Sequence, residues 1–231
     1  AVQSDNFISA QGEWEALLAR CPTNTLFVTP QWLRIWWEHF GSTACLFLTY
    51  IRHNDQLIGI APLMRRKNTI SFIGDQDLFD YHDFPVAQGY ELEAYSTLVQ
   101  VLEREQWQTL DLTSIPHGSP TLTHLPPLFR RQGYNVTIET EDVAPGIHLP
   151  ATWDEYLRTL RKKDRHELRR KMRRLAETET YRCGPSNVAH LDTDLDCVFR
   201  LMRGSFAEKR YFLTPEREHF FRGITAELGE R

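Results

Sequence analysis

Between residues 46 and 73 three short apolar runs follow one another with only turn-length breaks. This spacing commits the stretch to an antiparallel meander. The sequence predicts strands at 46–51, 57–64 and 69–73. Asn54-Asp55 supplies the turn between the first two, and Gly74 ends the third.

Around this meander the periodicity is helical. Trp14, Leu17 and Leu18 predict a helix near 11–20. Thr29-Pro30 offers an N-cap and a proline at the first helical position, opening a helix over 31–40 that stops at Gly41. A helix over 92–102 and an alternating strand over 107–112 follow. Ser119-Pro120 caps a helix running to Arg131, and strands are predicted at 134–140 and 146–149. A meander feeding a β-α-β unit is an α+β fold, with a mixed, largely antiparallel sheet flanked by helices, not a doubly wound parallel one.

After Pro150 the character changes. Thr152 and Glu155 match a capping box, and the helix they open is predicted to run long, to about residue 177. A short strand at 180–183 and helices near 191–208 and 215–228 come next. Residues 1–150 carry 9 Lys+Arg against 17 Asp+Glu, and residues 151–231 carry 18 against 14, so the two parts differ in sign. The asymmetry suggests two functionally different parts, 1–150 and 151–231.

Several function classes are excluded. No apolar run is long enough to cross a bilayer, and residues 1–10 lack the basic start of a secretory signal, so a cytoplasmic protein is expected. Cys21, Cys45, Cys183 and Cys197 form no CxxC pair, which argues against a thiolate zinc site and favours reduced thiols. No two glycines stand at G-x-G spacing, and no GK[ST], G-x-S-x-G or HExxH occurs.

Five phrases stand in order along the chain: Trp32-Leu33-x-x-Trp36-Trp37, Gly59-Ile60-Ala61-Pro62-Leu63, Phe72-Ile73-Gly74, Asp80-Tyr81-His82-Asp83, and Leu160-Arg161-Lys162-Lys163-x-Arg165-x-x-Leu168-Arg169-Arg170. Together with the order of elements they resemble the GNAT-like acyltransferases linked to cellulose biosynthesis and the Fem-type peptidoglycan transferases. The resemblance implies a GNAT-like fold and transfer of an acyl group, acetyl from acetyl-CoA, to an amine or hydroxyl acceptor such as a cell-envelope or polysaccharide precursor. It also implies tandem GNAT-like domains, the second holding the donor. By that pattern residues 1–150 are expected to form one GNAT-like domain, 151–178 a basic linker helix, and 179–231 the opening of a second GNAT-like domain without its remaining strands. The alternative is a non-catalytic GNAT-like module that recognises a glycan precursor, a partner protein or tRNA.

An acyl-CoA pyrophosphate needs backbone N–H groups presented by a glycine-rich turn. In GNAT enzymes that turn reads Arg/Gln-x-x-Gly-x-Gly/Ala. Here the position reads Gly74-Asp75-Gln76-Asp77-Leu78, which is acidic and lacks the second glycine. The first domain is therefore not expected to hold CoA in the usual way.

The Asp80–Asp83 segment has two main readings. As an acceptor site, Asp80 and Asp83 take a proton from the attacking amine while Tyr81 and His82 bind substrate. As structure, the segment is a polar loop whose carboxylates cap backbone N–H groups. Metal binding fits the spacing poorly, and no metal is expected. Trp32, Trp36 and Trp37 read as a buried stripe, with Trp36 and Trp37 the candidates to line a substrate pocket. From Arg161 to Arg174 the chain carries nine Lys/Arg against Asp164 and Glu167. That run is a solvated linker, a phosphate-binding helix using Lys163, Arg165 and Arg169, or a tRNA contact. The overall charge of −4 weighs against nucleic acid.

Overall fold

The computed structural model describes residues 2–4, 6–178 and 184–229. Its centre is the hairpin of β2 (Cys45–His53) and β3 (Gln56–Arg66), turned by Asn54 and Asp55, both with positive φ. This is the turn whose twist suits a two-residue hairpin. Lys67, also at positive φ, turns the chain into β4 (Thr69–Phe72), antiparallel to β3. On the other side β1 (Val2–Ser4) pairs antiparallel with β2. Helix α3 (Glu91–Glu103) then crosses over to β5 (Thr109–Asp111), which runs parallel to β4. The sheet order is β1-β2-β3-β4-β5, so the fold is α+β with a mixed sheet.

Both faces of the sheet are covered, which is why β3 reads as a nearly unbroken apolar run. Ile60 and Met64 face one layer, with Trp14 and Leu17 of α1 (Gln11–Leu18) and Trp32 and Trp36 of α2 (Pro30–Phe40). Ala61 and Leu63 face the other, with Tyr95, Leu98 and Leu102 of α3 and Leu125 and Phe129 of α4 (Pro120–Arg131). A bulge interrupts the alternation: Ile51 pairs Gly59 and Arg52 pairs Leu57, leaving Ile58 without a partner on β2. The caps read from the sequence form as expected. Thr29 Oγ1 accepts from Trp32 N–H, and Ser119 Oγ accepts from Thr121 N–H.

Past Phe72 the chain leaves the sheet and returns to it. Ile73 N–H still donates to Pro62 O, residues 74–83 loop outward, and then Ile60 N–H donates to Pro85 O and Ala87 N–H to Ile58 O. The loop thus begins and ends on the same edge of β3.

Four expectations are corrected. Residues 134–140 and 146–149 form no strand. Tyr134 stacks on Trp107 at 5.1 Å and Val136 packs on the core, but the remaining side chains of 134–140 are exposed and no edge is paired. The long helix is broken: α5 (Trp153–Thr159) ends at Leu160, whose backbone is extended, and α6 (Lys162–Thr178) starts afresh. The capping box at Thr152 and Glu155 is formed. The boundary at 179 is also misplaced. Residues 1–141 and 188–231 form one compact unit, and residues 142–187 another. The helix predicted over 191–208 is divided at Phe206 into α7 (Leu191–Ser205) and α8 (Ala207–Phe212), followed by α9 (Pro215–Gly229). Phe220 and Ile224 of α9 are buried in the same apolar layer as Trp14 and Trp36. An amphipathic helix buries its stripe against whatever apolar face is adjacent, and here that face belongs to α2. The strand expected at 180–183 lies outside the described residues.

Candidate functional site

The parallel β4–β5 pair places the segments after both strands side by side, and the loop of residues 74–83 grows from one of them. Its first turn is closed by Asp75. The carboxylate Oδ1 accepts from the N–H groups of Asp77 (2.9 Å) and Leu78 (3.0 Å). Its Oδ2 accepts from Trp36 Nε1 at 2.7 Å. Two N–H groups that could face an anion are therefore satisfied from within the loop. An acyl-CoA pyrophosphate needs free backbone N–H groups, so the residues of this turn do not fit that group.

Asp80 is exposed and Tyr81 half-buried, its ring 6.2 Å from Phe27. His82 and Asp83 are buried, at 5% and 3% exposure, so the structure separates the two carboxylates predicted to act together. The His82 ring lies between Phe79, centroids 4.6 Å apart, and Phe72, 5.4 Å apart, and neither ring nitrogen has a hydrogen-bond partner. Its backbone N–H donates to Ser114 O at 3.0 Å, tying the loop to the segment after β5. Ser114 has a positive φ, and its N–H donates to Glu141 Oε2 at 2.9 Å.

Asp83 opens a buried polar chain. Its Oδ1 accepts from Thr121 Oγ1 at 2.5 Å and from Phe84 N–H at 2.8 Å. Thr121 Oγ1 also shares a hydrogen bond of 2.7 Å with the Tyr95 hydroxyl. Burial pushes the Asp83 carboxyl up, opposed by Ser119, Thr121 and the Phe84 N–H. Ser119 is close enough to favour the charged form but is not in hydrogen-bond geometry with Oδ2, which lacks a partner. Burial also raises Tyr95 and pushes the Cys21 thiol up to about 12, with Asp83 adding to both. Sequence reasoning missed Thr121, Tyr95 and Cys21. The Ser119-Pro120 cap was the only local signal, because it fixes where Thr121 points.

Burial pulls His82 down to about 4 from 6.5, opposed by the Thr113 backbone, which lies near the ring but outside hydrogen-bond geometry. A depressed value means the unfolded chain takes the proton first as pH falls. The stability contribution is full above pH 6.5 and is lost between 6.5 and about 4, amounting to about 3 kcal/mol at the lower end. Asp83 acts in the opposite sense. Its raised carboxyl contributes stability below 3.8 that is lost as pH rises through the folded value. Urea unfolding of the wild type and His82→Leu from neutral pH to pH 4 isolates the histidine. The difference between them should shift by about 3 kcal/mol in favour of the variant on acidification; a constant difference would rule out a neutral buried ring.

The other candidates are dispersed. Trp36 is buried, its indole spent on the core and on Asp75; Trp37 is half-buried, with its ring against Gly41. Neither lines the open cleft of about 670 Å³ that borders the loop tip. That cleft is walled by Phe40, Asp77, Phe212, Thr214 and Arg217. Arg217 pairs with Asp77 and stacks on the Phe212 ring at 4.5 Å.

Lys163, Arg165 and Arg169 lie on α6 in the separate 142–187 unit. Lys163 and Arg169 are exposed. Arg165 Nη1 donates to Leu157 O and Leu160 O at 3.4 Å, closing the end of α5 rather than facing solvent. Cys21, Cys45 and Cys197 are free thiols. Among the described residues, no group of three or more His, Cys, Asp or Glu is arranged to hold a metal, and no helix is long and apolar enough to cross a membrane. In comparisons with family models, curated proteins and solved structures, nothing matches the chain.

Proposed function

We propose that this chain is a GNAT-like acyltransferase domain that transfers an acyl group, acetyl from acetyl-CoA by the sequence resemblance, to an amine or hydroxyl acceptor. The observation that carries the reading is the order α1, α2, β2, β3, β4, α3, β5, α4, with β4 and β5 parallel. In open α/β sheets, ligands bind outside the carboxyl ends of the parallel strands, and β4 and β5 are the parallel pair of this sheet. Here those ends carry the 74–83 loop, with the open cleft at its tip. The acceptor belongs at that cleft, and an envelope or polysaccharide precursor offers the hydroxyls or amine it would use. Because Asp75 already holds the Asp77 and Leu78 N–H groups, donor affinity should be lower than that of a glycine-rich turn.

The same Asp75 geometry favours a second reading, a GNAT-like module that binds such a precursor without catalysis. Titrating the full chain with acetyl-CoA in a calorimeter, together with thiol release in the presence of glucosamine or spermidine, separates the two. The acyltransferase reading expects saturable heat weaker than the micromolar range and acceptor-dependent release of CoA. Neither heat nor release at millimolar acetyl-CoA would leave only the binding module.

A further inference from the structure

Among the described residues, the basic helix α6 differs from the other long helices: it is 17 residues long and none of its residues is buried. Its charge is concentrated, nine Lys/Arg against two acidic residues from Arg161 to Arg174. Some of that charge is internally paired, Arg161 with Asp164, and Arg170 and Lys171 with Glu167. Lys162, Lys163, Arg169 and Arg173 make no ion pair within 4 Å among the described residues. A solvated linker helix would be expected to be polar all round. This one is not.

Leu168, Met172 and Leu175 recur at i, i+4 and i+7, which places them within about 60° of one another around the axis. Leu168 is half-buried, while Met172 is 41% and Leu175 50% exposed, so the C-terminal part of the stripe is open to water. Arg169 lies on one flank of the stripe and Lys171 on the other, positions from which long side chains reach upward while their stems stay apolar. Trp153 of the preceding helix is also 50% exposed.

We propose that α6 lies on an anionic membrane surface, its Leu168–Met172–Leu175 stripe in the acyl boundary and its cations on lipid phosphates. Charge complementarity selects an anionic partner, and the apolar stripe selects a lipid one. RNA is the rival anion. It would leave the stripe in water, and α6 has no Phe, Tyr or Trp to stack on bases. The reading is independent of the acyltransferase proposal, since it concerns a different unit of the chain.

The test is co-sedimentation of the full chain with vesicles of phosphatidylcholine alone or mixed with phosphatidylserine, with a single-stranded RNA oligonucleotide in parallel. Binding is expected only to the serine-containing vesicles. Met172→Ser/Leu175→Ser should weaken it about tenfold or more. Arg169→Gln/Arg173→Gln should weaken it roughly twenty-five-fold, at about fivefold per cation. The substituted positions are exposed, and circular dichroism checks that α6 persists. Equal binding to neutral vesicles, insensitivity to the Met172/Leu175 change, or binding of RNA without vesicles would each overturn the proposal.

Discussion

Phe220→Ala is expected to cost about 4 kcal/mol and to lower the unfolding midpoint of the whole sheet unit, not of a C-terminal piece alone. Phe220 is fully buried, edge-on to Trp32 at 5.2 Å, with Phe221 at 5.5 Å and Phe40 at 6.0 Å. Removing the ring leaves a cavity in the layer that joins α9 to α2, and neighbouring aromatic rings are too rigid to collapse into it. Around it, Gly223 packs against Ile35, and Arg34 pairs with Glu227 at 2.8 Å. Tryptophan fluorescence during urea unfolding reads the change directly, since Trp32 and Trp36 lie in the same layer. Tyr211→Ala, at a residue 83% exposed, is the control and should stay within about 0.5 kcal/mol. If residues 188–231 were an independent domain, the tryptophan transition would not move with Phe220→Ala.

Gly74→Ala should be comparably severe, at about 4 kcal/mol, for a different reason. Gly74 has φ +139°, a conformation L side chains rarely adopt. A Cβ there would also come within 2.4 Å of His82 Nε2 and 2.9 Å of the Phe79 ring. His82 cannot swing away, because Phe72 and Phe79 hold it on both faces. Gly89→Ala separates the two causes. Gly89 also has positive φ, at +89°, but a Cβ there meets nothing within 4 Å, so only the backbone strain remains, about 1–2 kcal/mol. Thermal unfolding of both variants should show Gly74→Ala clearly the worse; equal losses would mean that the His82 contact gives way freely.

Much of the fold was legible because local rules and tertiary packing agree. The Asn54-Asp55 hairpin, the Thr29-Pro30 and Ser119-Pro120 caps and the stripe of α3 need no information beyond their own neighbourhood. The failures are places where the decision is made elsewhere. Tyr134, Val136 and Ile138 alternate like a strand, but no edge receives them. The break at Leu160 depends on one extended residue inside an otherwise helical pattern. The boundary at 179 rests on the resemblance to tandem domains, whereas α9 is joined to α2 by apolar burial, a contact that no local pattern announces. At the site, the sequence brought Asp80 to Asp83 forward as one cluster, yet neighbours in a loop point different ways. Asp83 turns inward to Thr121 and Tyr95, residues far away in sequence whose approach no local pattern announces.

The way the 74–83 loop is fastened has a bearing on how such a chain can diversify. Both of its ends are tied to one edge of β3, at Pro62 on departure and at Ile58 and Ile60 on return. Sheet pairing is therefore complete without the tip. Gln76, Asp77 and Asp80, all exposed, can be exchanged or lengthened at small entropic cost, because loop closure grows only slowly with length. The inward members, Gly74, His82 and Asp83, do not share that freedom. Descendants of this sequence can thus acquire new recognition by rewriting three outward positions while the strands beneath stay in register.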